Sequence, residues 1–547
     1  MNERLQTLRK YNLWDSAPFD FGYERNGYTD KIAAYTGNRL VKVLVGQRRA
    51  GKSYLLRQVA RRLVADGVKA ENTLIINREL ADFDFIATHK DLDELLRLYK
   101  SELKPKGKVY LFIDEVQMIE GWEKTVNSCS QDYAEEYEVF VSGSNSRLLS
   151  GELATLLSGR YVCFEILPFS FSEYAGISGR EADKACYTEY MNGGGLPELY
   201  ALSSAELKRN YISAVKDTVL LRDIIQRHSI RDPKLPEDIF VFLVNNASNL
   251  VSVSGIVNYF KSQGHKTSYD AVSNYIGYIE DTFLVHRCDR YDIRGKDTIA
   301  GNAKYYLNDL AYRNYLYPGY GYDFGYRLEN LAYLELRRAR YDIYTGVTKG
   351  KEVDFVARKA DRIVYLQCAY LLANEATVER EYASLETIAD NFEKIVVSLD
   401  DLKLPPARRH PACAGVEVGG TAVRETAASR KNSHKWGIVF RLRHIILQHI
   451  KHQFLCKMKR IVAIFLLAFV ALSAFAEEKN RYADSLLHIV QTKRMTDLER
   501  AKLYANITES YCAHDMPNTL KYGTMGLEYA LRCDDKTLIF LFYNYIG

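Results

Sequence analysis

The chain has 547 residues, 47% hydrophobic and 26% charged, with 74 Lys and Arg against 69 Asp and Glu for a formal net charge of +5. That is a globular composition with room for three or four domains, each with its own core, and the charge is too small to mark a nucleic-acid binder by itself. The nine cysteines are scattered without a Cys-x-x-Cys pair, which argues against a zinc site and a disulfide framework and makes a reducing cytoplasm the simplest home for the main body.

Met1 to Arg25 is charged and lacks the apolar segment of a signal peptide. The stretch from Leu40 to Arg57 then reads as a buried strand, a glycine-bounded loop and a helix. Residues Gly46, Gln47, Arg48, Arg49, Ala50, Gly51, Lys52 and Ser53 satisfy G-x-x-x-x-G-K-[ST]. Glycines at 46 and 51 let main-chain amides wrap a polyphosphate, and the helix starting near Lys52 adds its positive end. Lys52 is placed to reach the outer phosphates of ATP, and Ser53 to take one position on Mg²⁺. Gly46 through Tyr54 are the nucleotide-binding candidates.

A second strand is expected over Asn72–Asn77 and an acidic amphipathic helix over Leu92–Leu103. Val109 to Glu115, VYLFIDE, reads as a buried parallel strand delivering two carboxylates at its end: Asp114 to hold Mg²⁺ and Glu115 to polarise the attacking water. A further strand at Val139–Ser142 runs into a polar loop whose Asn145 could touch the γ-phosphate, or be an ordinary loop residue. A short helix, Leu153 to Arg160, leaves Arg160 at a helix end, either as an arginine finger for its own or a neighbouring subunit or as an ion-pair residue.

GQRRAGKS, LFIDEVQ, VSGSNSRLLSGELATLLSGR and LPFSFSEY (Leu167–Tyr174) together resemble the AAA-type ATP-binding proteins of bacteria and archaea, over roughly residues 5 to 404. The resemblance implies an AAA+-like α/β fold in residues 1–200, nucleotide binding and hydrolysis, and a C-terminal restriction-endonuclease-like domain of undefined role.

Asn192–Pro197, NGGGLP, is a hinge or a plain loop. Over 201–320, three helical patterns follow: Ile239–Asn246, Val253–Phe260 with Ile256, Tyr259 and Phe260 on one face, and a third capped by Ser268 with Val272, Tyr275, Ile276 and Ile279 inward. With a hairpin from Phe283–Arg287 and Lys304–Leu307, they suggest a winged-helix domain. Its outward Tyr269, Ser273, Asn274 and Tyr278 are polar rather than strongly basic, leaving DNA, protein or a structural lid open as its role.

Over 321–404, a helix Arg327–Arg338 and strands at Asp342–Tyr344, Val353–Ala357, Ile363–Gln367 and Ile395–Leu399, with a helix from Thr377 to Asn391, follow the order of a metal-dependent nuclease. Glu329, Asp354 and Gln367 stand where metal-binding residues would be, but Ala369 replaces the lysine of that motif, so cleavage is expected to be lost unless a lysine such as Lys351 takes its place.

Residues 405–457 have no periodicity and read as a disordered linker. Met458-Lys459-Arg460 then introduces an apolar run, Ile461–Ala476, ending Ala474-Phe475-Ala476, in the form of a secretory signal peptide. We expect 477–547 to be the start of a separate secreted tetratricopeptide-like protein joined by a frame error or lost stop. The alternative is a membrane anchor through 461–476, with the upstream basic residues keeping the main body cytoplasmic. The sequence therefore predicts an ATP-binding protein, an ATPase whose nucleotide state drives or gates the winged-helix and degenerate nuclease-like domains, with a nucleotide-gated DNA- or protein-binding module of negligible turnover and then a metal-dependent nuclease as the alternatives; homo-oligomers are left open.

Overall fold

The computed structural model describes residues 3–15, 19–145, 155–318, 324–360, 362–372, 375–399, 482–512 and 515–546. They fall into two compact units, one within Met1–Phe440 and one within Arg441–Gly547. The expected linker 405–457 and apolar run 461–476 lie outside the described residues. Among the described residues no helix is long and apolar enough to cross a membrane.

The first sheet contains β1 (Val41–Val45), β2 (Thr73–Asn77), β3 (Val109–Asp114), β4 (Tyr137–Gly143) and β5 (Tyr161–Glu165). Every pairing is parallel, in the order β2-β3-β4-β1-β5. Parallel neighbours need long crossovers, and the helices Lys52–Ala65, His89–Leu103 and Trp122–Gln131 supply them after β1, β2 and β3. Alternate side chains enter opposite cores: Val43, Ile76, Ile113 and Val141 on one face, Leu44, Ile75, Phe112 and Phe140 on the other. Phe112 stacks on Phe140 with centroids 4.6 Å apart. Because both faces are covered, these strands read as unbroken apolar runs. Lys42 interrupts β1, and its Nζ sits 2.5 Å from Glu138 Oε1 on β4, both side chains fully buried. The Gly37 N–H donates to both Glu138 oxygens at 3.0 Å, so the buried carboxylate is fully engaged.

The second sheet contains β6 (Leu250–Val251), β7 (Val285–Asp292), β8 (Asp297–Leu307), β9 (Asp342–Thr348), β10 (Lys351–Lys359), β11 (Arg362–Cys368) and β12 (Glu393–Val397). Its order is β12-β11-β10-β9-β7-β8-β6. β7 and β8 form the expected hairpin, and β7 also pairs in parallel with β9, Tyr291 opposite Gly346, so one sheet takes strands from both sides of the expected boundary between the middle and C-terminal domains. Helices Lys234–Asn245, Val253–Ser262 and Tyr269–Asp281 precede it, the last capped by Ser268, whose hydroxyl accepts from the Ala271 N–H at 3.2 Å. Ile256 and Phe260 are buried as expected, but Tyr259 is 47% exposed. One turn of helix puts Tyr259 at the rim of the apolar face, where its ring packs on Phe242 at 5.0 Å.

Two arginines of the Phe324–Arg338 helix tie it to the first sheet. Arg337 Nε donates to Glu165 on β5 at 2.8 and 2.9 Å, and Arg338 Nη1 donates to the Pro168 carbonyl at 3.0 Å. The glycine-rich turn is packed: the Gly195 N–H donates to Asp309 Oδ2 at 2.8 Å, and a Cβ on Gly195 would fall 2.6 Å from the Phe169 carbonyl oxygen.

In the other unit, a helix over 482–492 and the helices Asp497–Tyr511, Met516–Arg532 and Lys536–Ile546 surround Ala501, Tyr504, Ile507, Ala530 and Phe542. Gly526 allows the close approach, since a Cβ there would lie 2.2 Å from the Phe542 ring. Leu520, on the Met516–Arg532 helix, is 42% exposed.

Candidate functional site

β1 ends at Val45, and the chain turns at Gly46, where a Cβ would lie 2.3 Å from the Ile166 carbonyl oxygen. No other residue fits there without moving main chain. Gly51, with φ 95°, turns the loop into the Lys52–Ala65 helix. Lys52 is buried, with its ammonium donating to the Gly46 and Gln47 carbonyls at 3.0 Å each. Glu115 Oε1 is 3.9 Å away. Burial pushes the Lys52 pKa down more than the charges of Glu115 and Asp114 raise it.

β3 delivers Asp114 and Glu115 to the same end of the sheet. Glu115 adopts a left-handed φ of 53°, a conformation that costs free energy in a non-glycine residue and recurs at functional sites. Ser142, at the end of β4, holds both acids: its hydroxyl donates to Asp114 Oδ1 and accepts from the Glu115 N–H at 3.1 Å. Ser144 Oγ at 3.1 Å and Gln117 Nε2 at 2.5 Å donate to Glu115 Oε2. Burial pushes the Glu115 carboxyl up, but Lys52, Arg48 and these donors outweigh it and the net direction is down. Asp114 goes up, through burial and then the charge of Glu115, against hydrogen bonds from Ser142 and Ser53.

Lys52, Ser53, Asp114 and Glu115 are thus brought together as expected. Ser53 and Asp114 offer the hard oxygens that Mg²⁺ prefers, beside the glycine cradle a triphosphate needs, so the residues present fit both groups. Asn145 is buried directly after Ser144. Ala50 is buried and gives its carbonyl to Arg25, whereas Arg49 is largely exposed within 4.0 Å of Glu198. Tyr54 turns outward, 37% exposed, and its hydroxyl donates to Asp20 at 3.1 Å.

The strand register bears on one of the roles open to Arg160, that of a finger in its own chain. Tyr161 pairs with Val41, at the start of β1, while the phosphate loop follows its other end at Val45. Four strand steps, about 13 Å, therefore separate the exposed Arg160 from the loop, and it does not reach a phosphate in its own chain.

Gln47, one of the loop candidates, is held by residues the sequence did not single out. Gln47 is wholly buried: its Oε1 accepts from Asn308 Nδ2 at 2.8 Å and its Nε2 donates to the Tyr312 hydroxyl. Asn308 in turn accepts from His286 Nε2 at 2.9 Å. Arg25 donates to the Ala50 and Leu167 carbonyls at 3.0 Å each and to both Glu173 oxygens at 2.7 and 2.9 Å, bracing the loop from behind. Nothing in the local sequence marks Arg25, His286, Asn308 or Tyr312, because these contacts span 22 to 265 positions. Ser142 had a signal, a hydroxyl residue at the mouth of an apolar strand facing an Asp-Glu pair.

The second sheet gathers the other acids. Glu329, Glu352 and Asp354 surround Lys304, whose Nζ is 2.8, 2.8 and 3.8 Å from their oxygens. Tyr306 donates to Glu329 Oε1 at 2.7 Å. The lysine that meets these acids is Lys304 of β8, and Lys351 is exposed at the start of β10. Gln367 is engaged elsewhere, accepting from the Asp354 N–H at 3.3 Å and donating to Glu381 at 3.0 Å. Among the described residues no group of three or more His, Cys, Asp or Glu is arranged to hold a metal ion.

A sequence model of the AAA domain matches residues 38–175, and one for a domain of unknown function matches 185–320, the middle region rather than the C-terminal one. An uncharacterized protein of Haemophilus influenzae is 35% identical over 381 residues, covering 68% of this chain and 92% of that protein. Uncharacterized protein MJ1544 of Methanocaldococcus jannaschii is 31% identical over 381 residues, 66% of this chain and 82% of its own. The chain belongs to the family of these two proteins. Its AAA domain holds the phosphate loop and both acids of β3, and AAA membership makes it an ATP-binding module whose nucleotide typically comes with Mg²⁺. Among solved structures, the Aeropyrum pernix ORC1 protein in complex with DNA is 13% identical over 58% of this chain and 97% of its own, at a TM-score of 0.27. The S. cerevisiae Hsp104:casein complex is 13% identical over 53% of this chain and 54% of its own, at a TM-score of 0.25. Scores that low carry no statement about function.

Proposed function

We propose that the chain is an ATPase whose AAA domain hydrolyses ATP with Glu115 as the residue that orients and deprotonates water. The convergence of Lys52, Ser53, Asp114 and Glu115 at one end of a parallel sheet carries this reading. Lys52 exchanges its two carbonyl partners for phosphate oxygens, and main-chain amides between Gly46 and Lys52 hold the rest of the polyphosphate. Ser53 and Asp114 would hold Mg²⁺, which supplies neutralisation of the charge on the outer phosphates. Glu115, kept ionised by Lys52 and Arg48, accepts the proton of the attacking water, while Ser142 and Ser144 fix the orientation of both acids.

Steady-state hydrolysis by the full chain tests this. Glu115→Gln should lower kcat by about a hundredfold or more while retaining nucleotide, and Lys52→Ala should lose binding. A parent rate equal to that of both variants overturns the reading in favour of a nucleotide-gated binding module.

The three helices before β7 and the β6-β7-β8 strands support a winged-helix reading of the middle region, with DNA or protein as its ligand. The Lys304 cluster supports reading the C-terminal part as a nuclease-like domain that does not cut, because an ammonium already neutralises the carboxylates. For the separate helical unit, about a third of the chain lies outside the match to the Haemophilus influenzae relative, which supports a junction of two unrelated products. Its paired helices suit a tetratricopeptide-like start. Sequencing the transcript across codons 405–480 would show the junction, and an uninterrupted native frame would refute it.

A further inference from the structure

Arg48 stands four residues before Lys52, within the loop that is to wrap the phosphates, yet its guanidinium is held by two carboxylates from other parts of the chain. Nε and Nη2 lie 3.2 and 3.3 Å from the two oxygens of Asp223, a paired arrangement that uses one edge of the guanidinium. Nη1 lies 2.6 Å from Glu79 Oε1. Glu79 follows β2, at the same end of the sheet as Asp114. Asp223 belongs to the π-helical segment Val219–Gln226, outside the AAA domain match. Wide helical turns of this kind concentrate at functional positions.

The charge count is the informative quantity. One guanidinium faces two carboxylates, leaving a net negative charge beside a loop designed for an anion. The Arg48 side chain is 12% exposed and Asp223 16%, so water screens their interaction poorly, while Glu79 at 46% is only loosely held. The charge of Arg48 also acts on Glu115, lowering its pKa, and on Lys52, lowering its pKa.

We propose that Arg48 is a second cation for the terminal phosphate of a nucleoside triphosphate, and that Asp223 and Glu79 compete with that phosphate for it. The inference rests on the ATPase reading. As a consequence, a bound triphosphate loosens the grip of Arg48 on Asp223, and the Val219–Gln226 segment senses whether the third phosphate is there. A diphosphate, which lacks the terminal group, leaves the ion pair in place. By linkage, weakening the competitor must strengthen triphosphate binding by the same free energy that the triphosphate withdraws from the pair.

Calorimetry on the full chain with ADP and with a non-hydrolysable ATP analogue, both with magnesium, tests this. Asp223→Asn should tighten the analogue about tenfold, or about 1.4 kcal/mol, and ADP by less than about twofold. Glu79→Gln, at the more exposed partner, should act in the same direction and more weakly, and it guards against a folding defect in the first variant. Arg48→Ala should reduce the preference for triphosphate over diphosphate about tenfold, and in that background Asp223→Asn should change nothing. Equal shifts for the two nucleotides, or an Asp223→Asn effect that survives Arg48→Ala, would overturn the proposal while leaving the ATPase reading intact. A parent that binds neither nucleotide removes both.

Discussion

Two places in this chain set a buried lysine among carboxylates, and they differ in how the lysine is satisfied. Lys304 is closed in by 2.8 Å contacts to Glu329 and Glu352 and lies 3.8 Å from Asp354. Lys52 has its nearest carboxylate at 3.9 Å and otherwise rests on two main-chain carbonyls of its own loop. Carbonyl dipoles can be given up for phosphate oxygens at little cost, whereas two full charges cannot. The direction of titration agrees: burial opposes the charge of both lysines, but only around Lys304 do Glu329, Asp354 and Glu352 more than reverse it. A lysine held by neutral groups is poised to bind an anion, and a lysine saturated by acids is part of the framework.

The sharpest test of that contrast is stability. Lys304→Met should cost on the order of 3–5 kcal/mol, because it strands buried carboxylates, while Lys52→Ala should cost less than about 1 kcal/mol and yet abolish triphosphate binding. Urea unfolding followed alongside nucleotide titration reads both. Similar losses of stability in the two variants would break the comparison.

A second test concerns the line of hydrogen bonds from His286 through Asn308 to Gln47. Burial, then the charge of Arg337, lowers the His286 pKa from 6.5 to about 4. The unfolded chain therefore binds a proton that the folded chain refuses between those values, and stability falls as pH drops through the window, by on the order of 3 kcal/mol from this group. Asp309, raised to about 6 by burial, acts oppositely, since the folded chain takes up its proton first. His286→Gln removes only the first contribution, so the stability difference between parent and variant should shift steadily in the variant's favour between pH 6.5 and 4. A difference independent of pH would show that His286 is not held neutral.

The smallest expected effect is at Gly46. An alanine Cβ would meet the Ile166 carbonyl at 2.3 Å, and the main chain must shift to admit it. Gly46→Ala should cost about 2 kcal/mol in stability and weaken triphosphate binding about tenfold or more, measured by calorimetry. An unchanged affinity would mean that the loop tolerates displacement and that its shape does not set the phosphate position.

The site was legible where chemistry and local geometry coincide. Gly46, Gly51, Lys52 and Ser53 are constrained by the turn they make, and VYLFIDE is constrained by burial on both faces followed by an exit to a polar edge. Asp354 and Glu329 were also found, as positions in a strand and a helix, but the meaning of their grouping was not. Lys304 lies 25 residues before Glu329 in a strand that reads as half of a hairpin, and only the parallel pairing of β7 with β9 carries it to the acids. For Arg160 the register of β5 on β1, which no local pattern shows, sets it at the end of the sheet away from its own phosphate loop and leaves the neighbouring-subunit and ion-pair roles as they stood.

By itself, then, the sequence determined the elements and the chemistry of the phosphate loop, because the side-chain period of a strand, the φ demands of glycine and the donor chemistry of lysine act over a few residues. Only the tertiary structure decided who restrains that loop: Arg25, Asn308, Tyr312 and Asp223 reach it from distant segments, and a hydrogen bond or ion pair formed across such separations leaves no periodic trace in the chain that makes it.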